Sequence, residues 1–203
     1  KYYTPASNTK LFTFYTARQV LGDSLPLYRI AQRPGASVLQ GTGNPLFMHP
    51  DFPADSSLIR LIQGQEGFTL LSIDNYVEGR FGPGWSWADY TYGYQAEKTA
   101  FPMFGNCIRV SWDSLTNSLA VFPPMYEGST YYDPALDRYD YPAFRRDEYQ
   151  NVFAYNKAAR GSEAYTYNIP MYNVDDNATR TLGNLANRPI SRHIMIPADS
   201  ISH

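Results

Sequence analysis

Hydrophobic positions follow two regimes along this chain. Between Ser7 and Leu21 they crowd together: Leu11, Phe12, Phe14, Tyr15, Ala17, Val20 and Leu21 leave almost no polar face. The spacing predicts one helix over 7–21, with Pro5 just before its start and Gly22 where a left-handed cap would end it. A helix apolar nearly all round is expected to lie buried inside something larger. From Asp23 onward the pattern is short and strand-like. Strands are predicted over 36–42, 68–73, 106–112, 118–122, 152–155, 165–169 and 193–196. Within 106–112, Ile108, Val110 and Trp112 share one face and Cys107, Arg109 and Ser111 the other, and a turn over 113–117 makes a hairpin with the next strand. Pro123-Pro124 ends that ladder, because proline has no N–H to give it. Asp55 is placed to cap a short helix over 56–63, closed by Gly64. Residues 79–87 read as a Gly/Trp loop and 125–150 as a long ordered loop without periodicity. The fold class is therefore α+β, dominated by strands.

Composition narrows the class further. A chain of 203 residues suits one domain, or one domain plus a fragment of another. Seventeen basic against nineteen acidic residues give a net charge of −2, which removes most of the case for nucleic-acid binding. No apolar stretch approaches the length that spans a bilayer. No leader pattern is present, and Lys1 is not an initiating Met, so the chain is expected to begin where something else was removed. A single cysteine, Cys107, excludes an intrachain disulfide and a multi-cysteine zinc site, and reads as a buried small apolar residue. Tyrosine is abundant at 18 residues, ten of them between Met125 and Asn173. With 15 Pro and 14 Gly this indicates a β-rich and loop-rich body.

The sharpest candidate chemistry is Ser7-x-x-Lys10. Residues three apart on a helix share a face, so the Lys10 amine can reach the Ser7 hydroxyl. A serine at a helix N-terminus also sits among unpaired backbone N–H groups that favour developing negative charge. Burial favours a neutral amine that can take the serine proton. The spacing alone also fits a capping serine followed by a surface lysine; the apolar helix is what favours chemistry. Other groupings are weaker. His49, His193 and His203 lack metal-ligand spacing and read as ordinary hydrogen-bonded histidines. Asp175-Asp176-Asn177 and Asp133/Asp137/Asp140 lack a calcium-loop pattern and read as solvated loops. Lys98-Thr99-Ala100 has Ala where a Lys-Thr-Gly strand has Gly. Trp85 and Trp87 could stack on a sugar, although packing under a Gly-rich turn is the commoner role.

Several separated segments together resemble a known family. Pro5-Ala6-Ser7-Asn8-Thr9-Lys10-Leu11 is similar to the active-site helix of penicillin-binding D-Ala-D-Ala carboxypeptidases, most closely the class C, low-molecular-weight type. That type carries a large insert after its first motif. Gly41-Thr42-Gly43-Asn44-Pro45-Leu46 resembles its early insert turn. The segment from Gly79 to Tyr90 resembles its Gly-x-Gly-Trp-x-Trp-Asp-Asp loop, with Ala88 where Asp is commoner. Tyr94-Gln95-Ala96-Glu97, Ala100-Phe101-Pro102 and Gly105-Asn106 resemble the family's stretch on the C-terminal side of that loop. The family also needs a Ser-x-Asn element and a Lys-Thr-Gly strand downstream of the insert, and neither stands here in a credible context.

The resemblance implies a catalytic-domain fragment over 1–22 and a β-rich inserted domain over 23–203, with the C-terminal part of the catalytic domain missing. It implies that Ser7 attacks the penultimate D-Ala carbonyl of a peptidoglycan stem peptide, with Lys10 as base. Carboxypeptidase and endopeptidase work are both within the family's range. β-Lactams would acylate the same serine, no metal or organic cofactor is implied, and the expected place is the periplasm or cell envelope. The competing expectation is a non-catalytic module that binds glycan or stem peptide through its Tyr/Trp-rich surface, with Ser7 and Lys10 idle.

Overall fold

In the computed structural model, which describes residues 6–138 and 143–193, a single 3-10 turn, Ala6–Asn8, runs directly into α1, Thr9–Leu21. Gly22 takes φ +78° and its N–H returns to the Arg18 carbonyl at 3.0 Å, so the helix stops where the sequence predicts. Burial of this helix is not realised. No residue of α1 is buried, and Phe12 is 76% exposed. The physical reason is that no other described element of the chain packs along it.

The polypeptide then forms a hairpin of β1, Tyr28–Arg33, and β2, Ala36–Gly41, around Pro34-Gly35. Gly35 at φ +74° supplies the backbone that the tight turn requires. A crossover through α2, Ser57–Gly64, brings β3, Phe68–Ser72, parallel to β2, with Val38 facing Leu70 and Leu39 facing Leu71. Asp55 accepts the Ser57 N–H at 2.8 Å just ahead of α2, but the cap position falls on Ser56, whose side chain makes no cap bond, so the helix starts one residue later than the pattern predicts.

Two smaller sheets are built before the chain returns. β4, Cys107–Asp113, lies between β5, Ser118–Phe122, and β9, Tyr165–Pro170, all antiparallel. Ile108, Val110 and Trp112 are buried, as the alternation predicts, and Cys107 is buried too. β6, Thr130–Tyr132, runs parallel to β8, Phe153–Tyr155, and β7, Phe144–Arg146, pairs antiparallel on its other side. Residues 125–150 are therefore not one loop. They hold two 3-10 turns, Pro124–Ser129 and Pro134–Leu136, and two strands of three residues, too short to show a period.

A second correction concerns Asp175-Asp176-Asn177. They open α3, Val174–Ala186, a helix that the hydrophobic pattern did not reveal. Its apolar stripe, Val174, Ala178, Leu182 and Ala186, is diluted by Asn, Asp and Gly, yet it is buried. α3 packs on α2 and leads into β10, Ile190–His193, which joins the first sheet parallel to β3. The last predicted strand thus begins three residues earlier than expected, and 194–196 lie outside the described residues. Leu58, Ile62, Leu71 and Leu182 form the heart of the layer between helices and first sheet. Each such side chain contributes about 1.5–3 kcal/mol by leaving water.

Candidate functional site

Ser7 lies in the 3-10 turn and Lys10 in the first turn of α1, both exposed. No hydrogen bond joins them among the described residues. Asn8 holds the cap position in helical conformation without a side-chain bond, and the first turn carries no acidic residue. Asn8 thus gives the N–H groups at the start of α1 no side-chain cap, next to the Ser7 hydroxyl.

The segment that leaves this helix is held by the turn at 41–46. A Cβ at Gly41 would overlap the Ala100 carbonyl, so only glycine permits this close approach. Gly43, at φ +76°, donates its N–H to the same carbonyl at 2.6 Å. Asn44 donates from Nδ2 to the Leu25 carbonyl at 3.1 Å, and its Oδ1 accepts the Leu46 N–H at 3.0 Å. Thr42 donates to the Pro26 carbonyl at 2.5 Å. These bonds clamp residues 25–26, the extended segment that leaves α1. Between α1 and the clamp lies a groove of about 820 Å³, whose walls include Phe14, Leu21, Leu25, Pro45 and Leu46. The outward-facing Arg18–Asp23 ion pair at 3.0 Å adds little.

A buried acid organises the next segment. The Glu97 side chain is 1% exposed and accepts from Arg80 Nη1 at 3.1 Å. Its two oxygens also accept the N–H groups of Asn173 at 3.0 Å and Val174 at 3.2 Å, which caps α3 from a distant part of the chain. Asn106 donates from Nδ2 to the Glu97 carbonyl at 2.8 Å, while its own Oδ1 accepts the Met103 N–H at 3.2 Å. Glu97 and Asn106 belong to the segments that carry the family resemblance, and here their role is architectural. Sequence pattern assigned Glu97 no role of its own, because its partners lie 76 and 77 positions away.

The remaining candidates separate cleanly. Lys98 pairs with Glu78 at 2.7 Å, a bond that raises the lysine pKa and lowers the carboxyl's. Thr99 donates to Asp175, and residues 98–100 belong to no strand. His49 Nδ1 accepts the Asp51 N–H at 3.2 Å, while His203 and Asp140 lie outside the described residues. Among the described residues no group of three His, Cys, Asp or Glu is gathered to hold a metal ion. Burial pushes the Cys107 thiol up to about 12. Among the described residues no helix is long and apolar enough to cross a membrane. Arg146, a buried cation that no sequence signal singled out, stands over the rings of Tyr90 at 5.0 Å and Tyr172 at 5.6 Å. Desolvation lowers its pKa.

Neither a protein-family model nor a curated protein sequence matches the chain. Solved structures do. The crystal structure of penicillin binding protein 4 (dacB) from Haemophilus influenzae is similar at a TM-score of 0.66 and 16% identity, over 97% of this chain and 49% of that one. The structure of penicillin binding protein 4 (dacB) from Haemophilus influenzae complexed with a novel β-lactam is similar at a TM-score of 0.47 and 14% identity, over 95% and 47%. The chain thus spans about half the length of the solved structures it matches. Its α+β architecture has the fold of that half of a penicillin-binding protein.

Proposed function

We propose that this chain is the nucleophile-bearing part of a serine D-Ala-D-Ala peptidase of the cell envelope. Residues 1–22 would belong to its catalytic domain and 23–203 to an inserted domain. One observation carries the reading. Ser7-x-x-Lys10 opens a helix that is apolar on nearly every side, and the described residues leave that helix bare. The fold likeness to half of a penicillin-binding protein supports it. Polypeptide carrying Ser-x-Asn and Lys-Thr-Gly elements would cover α1. Burying its exposed Leu, Phe and Val side chains is favourable at about 25 cal/mol per Å² of apolar surface.

In the covered state the Lys10 amine loses water, which favours its neutral form. The Ser7 oxygen bonds to the carbonyl carbon of the penultimate D-Ala as Lys10 takes the hydroxyl proton. The tetrahedral oxyanion is held by the Ser7 backbone N–H and by a donor from the covering strand. The carbon–nitrogen bond then breaks, the proton passes to the departing amine, and terminal D-Ala leaves. Water attacks the ester, and Ser7 regains its proton. In endopeptidase work the departing amine is that of a cross-link instead.

A labelled penicillin tests this. With the covering polypeptide present, one adduct forms on Ser7, and Ser7→Ala abolishes it. The 203 residues alone label weakly or not at all. Rapid stoichiometric labelling of the 203 residues alone, or labelling that survives Ser7→Ala, refutes the reading.

A further inference from the structure

The loop from Gly79 to Tyr90 leaves two of the three tryptophans half open. Trp85 is 40% and Trp87 44% exposed, whereas Trp112 is buried. These rings are open but not loose. Trp87 stacks on Tyr90 at 5.2 Å and 20°, and it meets Phe81 edge-on at 6.2 Å. Phe81 lies 6.2 Å from Trp85 as well. A Cβ on Gly82 would stand 2.5 Å from the Trp85 indole nitrogen, so that indole lies flush against bare backbone. The Ser86 carbonyl accepts from Gln95 Nε2 at 2.7 Å, and the Tyr90 hydroxyl donates to the Arg146 carbonyl at 3.1 Å. A third ring comes from a separate loop: Tyr149, 65% exposed, 6.4 Å from Trp87.

Rings that serve only to fill a core are buried. Here side chains from two loops converge, are fixed in place, and remain open to solvent. Groups fixed in advance lose little freedom when a ligand arrives. Beside them, the Arg80 guanidinium stands 5.4 Å over Phe81 with its side chain 41% exposed. It gives one donor to Glu97, and a guanidinium has five. The surrounding charges are of mixed sign, with Asp147 and Glu148 opposing Arg145 and Arg146 around Tyr90. No single-sign field favours an anionic ligand.

We propose that this ledge binds a neutral glycan of N-acetylated hexopyranose units. The C–H face of a pyranose ring is apolar and slightly positive, which suits the negative face of an indole. Its hydroxyl and acetamido edge needs planar donors such as Arg80. The glycan class follows from the ledge itself, while the N-acetylated choice rests on the cell-envelope reading above.

The whole 203-residue chain titrated with chitohexaose, a β-1,4 oligomer of N-acetylglucosamine, tests this. Tryptophan emission is the readout, because the ledge holds the two open indoles. A saturable blue shift is expected, with half-saturation on the order of 1 mM. Trp87→Ala and Tyr149→Ala each weaken binding about tenfold. Gly82→Ala, which displaces the Trp85 indole without touching the core, also weakens it, and Trp87→Tyr restores part of the loss. Circular dichroism of each variant confirms that it is folded.

A native spectrum with no saturable shift overturns the proposal. So does binding that survives both Trp87→Ala and Tyr149→Ala, or a shift produced by phosphatidylcholine/phosphatidylglycerol vesicles and not by chitohexaose. Equal binding of maltohexaose overturns the N-acetylated assignment. Penicillin labelling of Ser7 in the covered enzyme does not use the ledge. Its failure with glycan binding intact therefore sinks the peptidase alone, and the reverse result sinks the ledge alone.

Discussion

Truncating Glu97 to alanine removes a carboxylate that three donors share: Arg80 Nη1 and the N–H groups of Asn173 and Val174. The two backbone donors stand at the start of α3, where Val174 is buried and Asn173 half-buried. Each donor left without a partner costs about 1–3 kcal/mol. The Arg80 side chain is 41% exposed and rehydrates, so the ion-pair share is held to about 1 kcal/mol. The expected loss for Glu97→Ala is therefore roughly 3–7 kcal/mol. With a urea slope of about 2 kcal/mol per molar, the unfolding midpoint falls by roughly 1.5–3.5 M. Arg80→Ala leaves both backbone donors satisfied and costs about 1 kcal/mol. Glu97→Gln keeps one acceptor and turns an amide donor toward the others, so it falls between the two. Urea unfolding followed by far-ultraviolet circular dichroism measures the series, and hydrogen exchange should show amides at the start of α3 losing protection in Glu97→Ala. A Glu97→Ala midpoint within the equivalent of 1 kcal/mol of the parent, or a larger loss for Arg80→Ala, would refute the view that this acid holds α3 in place.

Two other outcomes rest on burial. Burial pushes the Cys107 thiol from 9.0 up to about 12, so the native protein should resist a thiol reagent at pH 8 and react fully once unfolded in urea. The folded pKa is the higher one, so the thiol's contribution to stability is complete below about 9 and fades as pH rises toward about 12. Native reactivity near that of a free thiol at pH 8 would contradict the burial. Phe12, 76% exposed on α1, should tolerate serine with a shift under about 0.5 kcal/mol in this chain, measured by urea unfolding, while losing apolar surface that favours self-association. A loss above about 2 kcal/mol would show that α1 packs on the body after all.

The sequence by itself determined the elements whose cause is local. The crowded apolar run and Gly22 define α1, the strict alternation around Val110 and the Asp113 turn define the β4–β5 hairpin, and Asp55 marks the start of α2. Each signal lies within one or two turns or one strand, where periodicity and capping act directly. The ordered segments from Ser7 to Asn106 likewise carried a resemblance whose fold the penicillin binding protein 4 structure matches. Only the tertiary structure decided three other matters. α3 was hidden because its apolar stripe is diluted by polar residues and its cap comes from Glu97, far off in sequence. β6 and β7 are three-residue strands that exist through their pairing with β8. The exposure of Ser7, Lys10 and α1 depends on which surfaces are present to cover them, and hydrophobic pattern records the need for burial without naming the partner that meets it.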